Sequence, residues 1–320
     1  MEEILKILGR HFVTVTERGL LYGPAGKTLL RNLEDYWFLN CITMSRYNVF
    51  LSTDFSNTLN ILNENEMFNM PFGIGTIESL KSNWTQPAIS PEYKLASHRI
   101  AKVNIISDKD KSKDLFNKLQ KQRKVWWRKL AQTPSRFNLT EAKRIKNYDL
   151  VEIKAEFPFG DITVETLAFY TDTRKLFSQV ENLKENFVEA QMIEHTMSLD
   201  WGCLVLLCDA YKDDKYGKTY IHAKLAPYKI AFHIAKPDEE TDLVDLNDFV
   251  LYLSNMLRAK GVETILTTSE RIADICLVPY VVVVDSNSLL TGIIRVTNRS
   301  ATLTEQVHTT DLVKFITARC

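Results

Sequence analysis

The chain has 320 residues, with 40 Lys and Arg against 40 Asp and Glu, so its formal charge is zero although a quarter of it is charged. An apolar fraction of 45% with 10% aromatics can build real cores, which excludes disorder, a collagen-like chain and a coiled-coil rod, and the length suits two domains. No apolar run reaches 18 residues, so no membrane-spanning helix is expected.

Residues 1 to about 215 read as mixed helices and strands. A turn at Gly23 to Gly26 feeds a helix near Lys27 to Phe38, and strand character follows at Val49 and Phe50. From Lys109 to Lys146, thirteen Lys and Arg oppose only Asp110, Asp114 and Glu141, a local charge of +10 that leaves −10 for the rest of the chain. Ser112 is the expected N-cap of a helix there, on which Leu115, Leu119, Trp126 and Leu130 recur at helical spacing until Thr133-Pro134 stops it. Lys118, Lys121, Arg123, Lys124, Arg128 and Lys129 are left mostly on its other faces, and Arg136, Lys143, Arg144 and Lys146 continue the basic segment.

Further along, Asp149 to Phe157 reads as a strand, and Ser198 to Tyr211 is apolar nearly all round, as a buried helix would be. A polar stretch from Lys212 to Lys224 reads as a linker. Short strands then alternate with helices. Strands are expected at Lys229 to Ile234, Thr264 to Thr267 and Tyr280 to Val284, the last buried on both faces. Helices are expected from Leu243 to Lys260, stopped by Gly261, and near Glu270 to Cys276. Ser288 to Thr297 turns through Gly292 into a further strand, and Thr304 to Ala318 is the expected closing helix. These elements imply a compact α/β domain with a mixed sheet.

Clustered Lys and Arg can displace the counterions of a nucleic-acid duplex whatever its sequence. The sequence lacks zinc fingers, RNP aromatics and a helix-turn-helix, which favours backbone contact over base readout. A solvated charged face without a ligand is the plain alternative. The glycines of Gly23-Pro-Ala-Gly26-Lys27-Thr28 are two residues apart where a P-loop needs four, and Met70-Pro-Phe-Gly-Ile-Gly75 lacks the third glycine of a dinucleotide fingerprint, so no cofactor is expected. Five cysteines (Cys41, Cys203, Cys208, Cys276, Cys320) without a CxxC pair argue against a disulfide framework and a zinc site. The six histidines are scattered, and Asp161, Glu165 and Asp172 form no convincing acid-base pair. No catalytic residue and no metal ligand is expected. Glu2 and Glu3 beside Lys6 and Arg10 do not read as an import or secretory signal, so any such signal is expected to be absent or removed.

Several segments resemble known families. Tyr22-Gly-Pro-Ala-Gly-Lys-Thr-Leu-Leu-Arg-Asn-Leu33 with Tyr36-Trp37, Met70-Pro-Phe-Gly, Phe157-Pro-Phe-Gly160 with Glu165-Thr-Leu-Ala168, and Leu225-Ala-Pro-Tyr-Lys-Ile230 are similar to class II aminoacyl-tRNA synthetases of the glycyl and prolyl type. Trp126-Trp-Arg-Lys-Leu-Ala-Gln-Thr-Pro-Ser-Arg-Phe137, Ser198-Leu-Asp-Trp-Gly202 and Leu303-Thr-Glu-Gln-Val-His308 look more like the accessory-subunit family of mitochondrial DNA polymerase gamma, a synthetase descendant that no longer aminoacylates.

The resemblance implies an α/β (α+β) fold. Residues 1–215 would form a degenerate class II synthetase-like domain with an antiparallel sheet. Residues 216–224 would be a linker, and 225–320 an anticodon-binding-like α/β domain that docks on a partner. The synthetase pattern would place an Arg and a Glu near Ser82 and Trp84 and an Arg where Trp201 stands, and an anionic triphosphate needs such fixed cations. The implied role is a non-enzymatic processivity factor in the mitochondrial matrix, supporting DNA replication with the catalytic polymerase chain and double-stranded primer-template DNA as partners. Vertebrate members insert a dimerising helical hairpin where only Leu51 to Met70 stands here, too short for two helices and a turn, so a monomer in a 1:1 complex is expected. The partner-binding residues are unassigned within 225–320, with Phe315 a candidate that shares a face with core positions Leu312 and Ile316. A divergent synthetase paralogue that binds tRNA is the alternative.

Overall fold

The computed structural model describes residues 1–17, 19–65, 67–80, 84, 86, 95, 98–174, 177, 189–211, 219–235, 243–266, 269 and 271–320. Lys81, Ser82 and Asn83, the start of the expected linker at 212–218, Thr267 and Glu270 lie outside them. The chain divides into two compact units, one comprising Met1, Val15–Leu21 and Leu33–Leu206, the other Glu2–Thr14, Tyr22–Asn32 and Leu207–Cys320. The division falls within α2 (Pro24–Phe38), which follows α1 (Glu2–Leu8), β1 (Val13–Thr16) and β2 (Gly19–Tyr22) in the chain, and within α5 (Leu199–Ala210).

The first unit is built on an eight-stranded sheet in the order β3-β4-β5-β10-β9-β8-β6, with β7 also on β8. Its strands are β3 (Val49–Leu51), β4 (Phe72–Leu80), β5 (His98–Ser107), β6 (Phe137–Leu139), β7 (Lys143–Ile145), β8 (Tyr148–Phe157), β9 (Gly160–Tyr170) and β10 (Gln191–Ser198). Only β3 and β4 pair in parallel, and every other pair is antiparallel. Strand alternation sorts the residues between two faces. One register row aligns Ile74, Asn104, Glu194 and Ala168, and the next aligns Thr76, Lys102, Thr196, Thr166 and Glu152. At one end of that face Phe72, Ile74, Ile106 and Met192 form a core with Leu59 and Leu62 of α3 (Phe55–Glu64). The opposite face, with Ile193, His195 and Met197, receives α4 (Lys109–Leu130), which packs on β10 and β6. One ten-residue helix, α3, is the only helix between β3 and β4 among the described residues.

The second unit holds a mixed five-stranded sheet in the order β12-β11-β13-β14-β15. These strands are β11 (Ile230–Ile234), β12 (Thr264–Ile265), β13 (Tyr280–Val284), β14 (Ile293–Asn298) and β15 (Leu303–His308). β11 pairs in parallel with β12 and β13, whereas β13-β14 and β14-β15 are antiparallel. One face packs Phe232, Val282 and Val296 against Leu246, Val250 and Leu253 of α6 (Leu243–Arg258) and Leu312 and Ile316 of α9 (Thr309–Thr317). The other face packs Ala231 and half-buried Val281 on Ala273, Cys276 and Val278 around α7 (Ile272–Ile275).

Three expectations need correction here. Val281 and Val283 alternate with fully buried neighbours, so β13 is closed tightly on one face and loosely on the other. The stretch entering Gly292 is helical, as α8 (Ser286–Thr291), with Asp285 and Ser288 forming a capping box. Gly292 closes it at φ +69°, a left-handed conformation that costs glycine least. The closing helix begins only at Thr309, because Leu303 to His308 pairs with β14 and His308 caps α9. Cross-strand pairing overrode helical spacing at Thr304 to Val307. Phe315 is half-buried against the core, with the Arg319 guanidinium 3.7 Å over its ring.

Candidate nucleic-acid interface

α4 is rich in Lys, Leu, Gln and Arg, all good helix formers, with no Gly or Pro before Pro134. Asp110 in its first turn and Arg128 and Lys129 in its last complement the helix dipole. It begins earlier than Ser112 suggested. Asp108 occupies the N-cap position, and Ser112 is buried in the first turns, its Oγ donating to the Lys109 carbonyl at 2.9 Å and to Gln191 of β10. The buried stripe is Ser112, Phe116, Leu119, Arg123, Trp126, Trp127 and Leu130, with Leu115 at its margin.

Arg123, expected among the phosphate-contacting cations, is a correction to that set. Its side chain is 5% exposed, and its Nε and Nη2 donate to the two carboxylate oxygens of Glu165 at 2.7 and 3.0 Å. Trp127 Nε1 donates to the same carboxylate at 2.7 Å, Nη1 reaches Cys41 Sγ at 3.1 Å, and the guanidinium lies 4.3 Å over Trp126. Burial opposes the charge on Glu165, but the Arg123 cation with its hydrogen bonds, and His195 beside it, hold the carboxyl well below the ordinary range. Burial pushes His195 down, towards the neutral imidazole, against the pull of Glu165. A cation so enclosed anchors α4 to β9 and does not reach a surface duplex. Burial likewise raises the Cys41 thiol to about 11.

The other expected cations fall into three groups. Lys118, Lys121 and Lys129 are exposed on the outer face of α4, and Lys124 is half-exposed on its flank. Arg128 and Arg136 brace β6 and its neighbour β8. Arg128 donates to the Phe137 carbonyl at 2.9 Å and to Asn138 at 2.8 Å, while Arg136 lies 4.7 Å over the Phe157 ring. Lys143, Arg144 and Lys146 belong to the β7-β8 hairpin, where Arg144 pairs with Asp149 at 2.9 Å. Asp149 also meets Lys113 of α4 at 3.6 Å, which ties hairpin and helix together.

Sequence reasoning missed what faces the outer side of α4. A cleft of about 640 Å³ runs between α4 and residues 36–47, lined by Tyr36, Asn40, Cys41, Arg46, Tyr47, Lys118, Lys121, Gln122, Trp126, Lys129 and His195 among others. Residues Leu39–Thr43 there form a π-helical turn. No local sequence signal links Arg46 or Tyr47 to α4, because the approach is long-range.

No family model matches the chain. It is 25% identical over 224 residues to mitochondrial DNA polymerase subunit gamma-2 of Drosophila melanogaster, covering 63% of this chain and 61% of that protein. It is 27% identical over 280 residues to the Xenopus laevis protein of the same name, covering 77% and 59%. Glycine-tRNA ligase of Borreliella burgdorferi is 26% identical over 207 residues, covering 57% of this chain and 45% of the ligase. The chain thus spans about three fifths of the length of these two subunit gamma-2 relatives. With a mostly antiparallel sheet in one unit and a mixed sheet in the other, the chain is similar to DNA polymerase subunit gamma-2 and to glycine-tRNA ligase.

Proposed function

We propose that this protein is a non-catalytic accessory subunit of the mitochondrial DNA polymerase, acting in the matrix as a processivity factor. The observation that carries the reading is the likeness to subunit gamma-2 combined with the outward lysines of α4, Lys118, Lys121 and Lys129, in a segment of charge +10. Lysines on one helix face suit phosphates, whose contact carries no base sequence. Residues 1–215 would supply this DNA contact, and 225–320 would dock on the catalytic chain in a 1:1 complex. The single helix α3 in the gap where a dimerising hairpin would stand supports a monomeric subunit. Trp201, buried in α5 where the resemblance to synthetases would place a cation, supports a protein that does not aminoacylate. The test is co-purification with the polymerase catalytic chain followed by primer extension with and without this protein. Longer products per binding event are expected, and unchanged product length with no co-purification overturns the reading.

A divergent synthetase that binds tRNA is the second reading. It draws on the glycine-tRNA ligase likeness and on the polar sheet face, where burial raises the Glu194 carboxyl beside Asn104, Lys102 and Thr196. Exchange of pyrophosphate into ATP driven by glycine or proline would establish it and displace the first.

A further inference from the structure

We infer that the cleft on the outer side of α4 is a binding site for a nucleoside phosphate. The inference asks nothing of a polymerase partner, although it shares Lys118, Lys121 and Lys129 with the accessory-subunit reading. The cleft lies wholly within the first unit, and its volume of about 640 Å³ is that of a small-ligand site.

Charge determines the first half of the ligand. Arg46, Lys118, Lys121, Arg123 and Lys129 line the cleft, and no carboxylate is among its described lining residues. Glu165 neutralises Arg123 from within the core, which leaves four cations whose charge no lining residue offsets. A concave surface of one sign concentrates counter-ions of the other, here a phosphate.

The walls determine the second half. Buried Trp126 is already covered by Tyr36, stacked on it at 5.6 Å, and by the Arg123 guanidinium, so the half-buried rings of Tyr36 and Tyr47 form the aromatic walls of the cleft. Flat aromatic surfaces beside cations accept a base on its π face without regard to its identity. Asn40 and Gln122 add amide groups able to bond a base edge, and His195, whose Nδ1 faces Glu165 at 3.4 Å, closes the floor of the cleft. The π-helical turn at Leu39–Thr43, which contributes Asn40 and Cys41, is a rare distortion that is frequent at functional sites. An acidic peptide would satisfy the cations but would leave the stacking surfaces and amides without a use.

Two sources share this chemistry, a free mononucleotide and an unpaired nucleotide of a DNA strand. Calorimetric titration of the whole protein with dAMP, inorganic phosphate, single-stranded (dA)8 and a poly-glutamate peptide separates them. Saturable binding of dAMP at least tenfold tighter than phosphate supports a free nucleotide. Binding of (dA)8 alone supports a strand nucleotide. In either case the exposed pair Lys118→Glu with Lys129→Glu should weaken binding at least tenfold, and Gln122→Leu should weaken it while leaving thermal unfolding unchanged. The inference is overturned by phosphate binding as tightly as dAMP with no binding of (dA)8, by poly-glutamate outcompeting both nucleotide probes, by affinities unmoved in these variants, or by no saturable binding of dAMP or (dA)8 at millimolar concentration.

Discussion

Arg123 of α4 grips Glu165 of β9 through two parallel hydrogen bonds of 2.7 and 3.0 Å, with both side chains buried. Trp127 Nε1 adds a third donor to the same carboxylate, so helix and sheet are joined by one charged knot inside an apolar layer.

Removing one partner leaves the other charged and buried without compensation. Glu165→Gln or Arg123→Met should each lower stability by about 3–5 kcal/mol, whereas the double variant should lose less than the sum of the two. Urea unfolding followed by circular dichroism measures all three. Additive losses would mean that the two residues act independently.

The same pair predicts an acid limit. The folded carboxyl of Glu165 lies below the ordinary glutamate value of 4.5, so between those two values the unfolded chain binds the extra proton. The contribution is present in full above pH 4.5 and is lost as pH falls through the lower, folded value. The urea midpoint should therefore drop with acidification below pH 4.5, and Glu165→Gln should flatten that part of the profile. An identical slope in the variant would remove Glu165 as its source.

Gly202 leaves no room for a side chain. A Cβ there would stand 2.6 Å from Trp127, whose ring is fixed by its bond to Glu165 and by stacking on Phe137 at 5.6 Å. Overpacking costs about 1–3 kcal/mol and exceeds the gain of up to about 1 kcal/mol from alanine in a helix. Gly202→Ala should lower the melting temperature, and a rise would show that Trp127 can move.

For DNA, the charge reversals belong at Lys118, Lys121 and Lys129, because Arg123 and Arg128 are structural in this fold. The triple Glu variant should bind primer-template DNA more weakly at every sequence. Its salt dependence should be shallower by about 0.9 in log-log slope for each lysine that touches a phosphate. An unchanged slope in an equilibrium titration at several salt concentrations would assign these lysines to solubility alone.

Much of this architecture was legible along the chain. The C-terminal end of α4 followed from Pro134, β8 and β13 from their runs of strand formers, and the burial of α5 from apolar residues on every side, since each depends on neighbours within a few residues. Composition and spacing also determined where the positive charge collects. Only the tertiary structure decided which of those charges face water. Helical spacing sets Arg123 apart from Lys121 and Lys124, on the face of Leu119, Trp126 and Leu130, but the partner that makes it an anchor is Glu165, 42 positions later on a strand that the sheet brings beneath it. Ser112, Leu303 to His308, and the meeting of Arg46 and Tyr47 with α4 share that cause, since long-range pairing outweighs local preference once it buries apolar surface and satisfies polar groups. The zero net charge thus conceals a local distribution that the sequence located and only the fold could divide into an anchor and an exposed face.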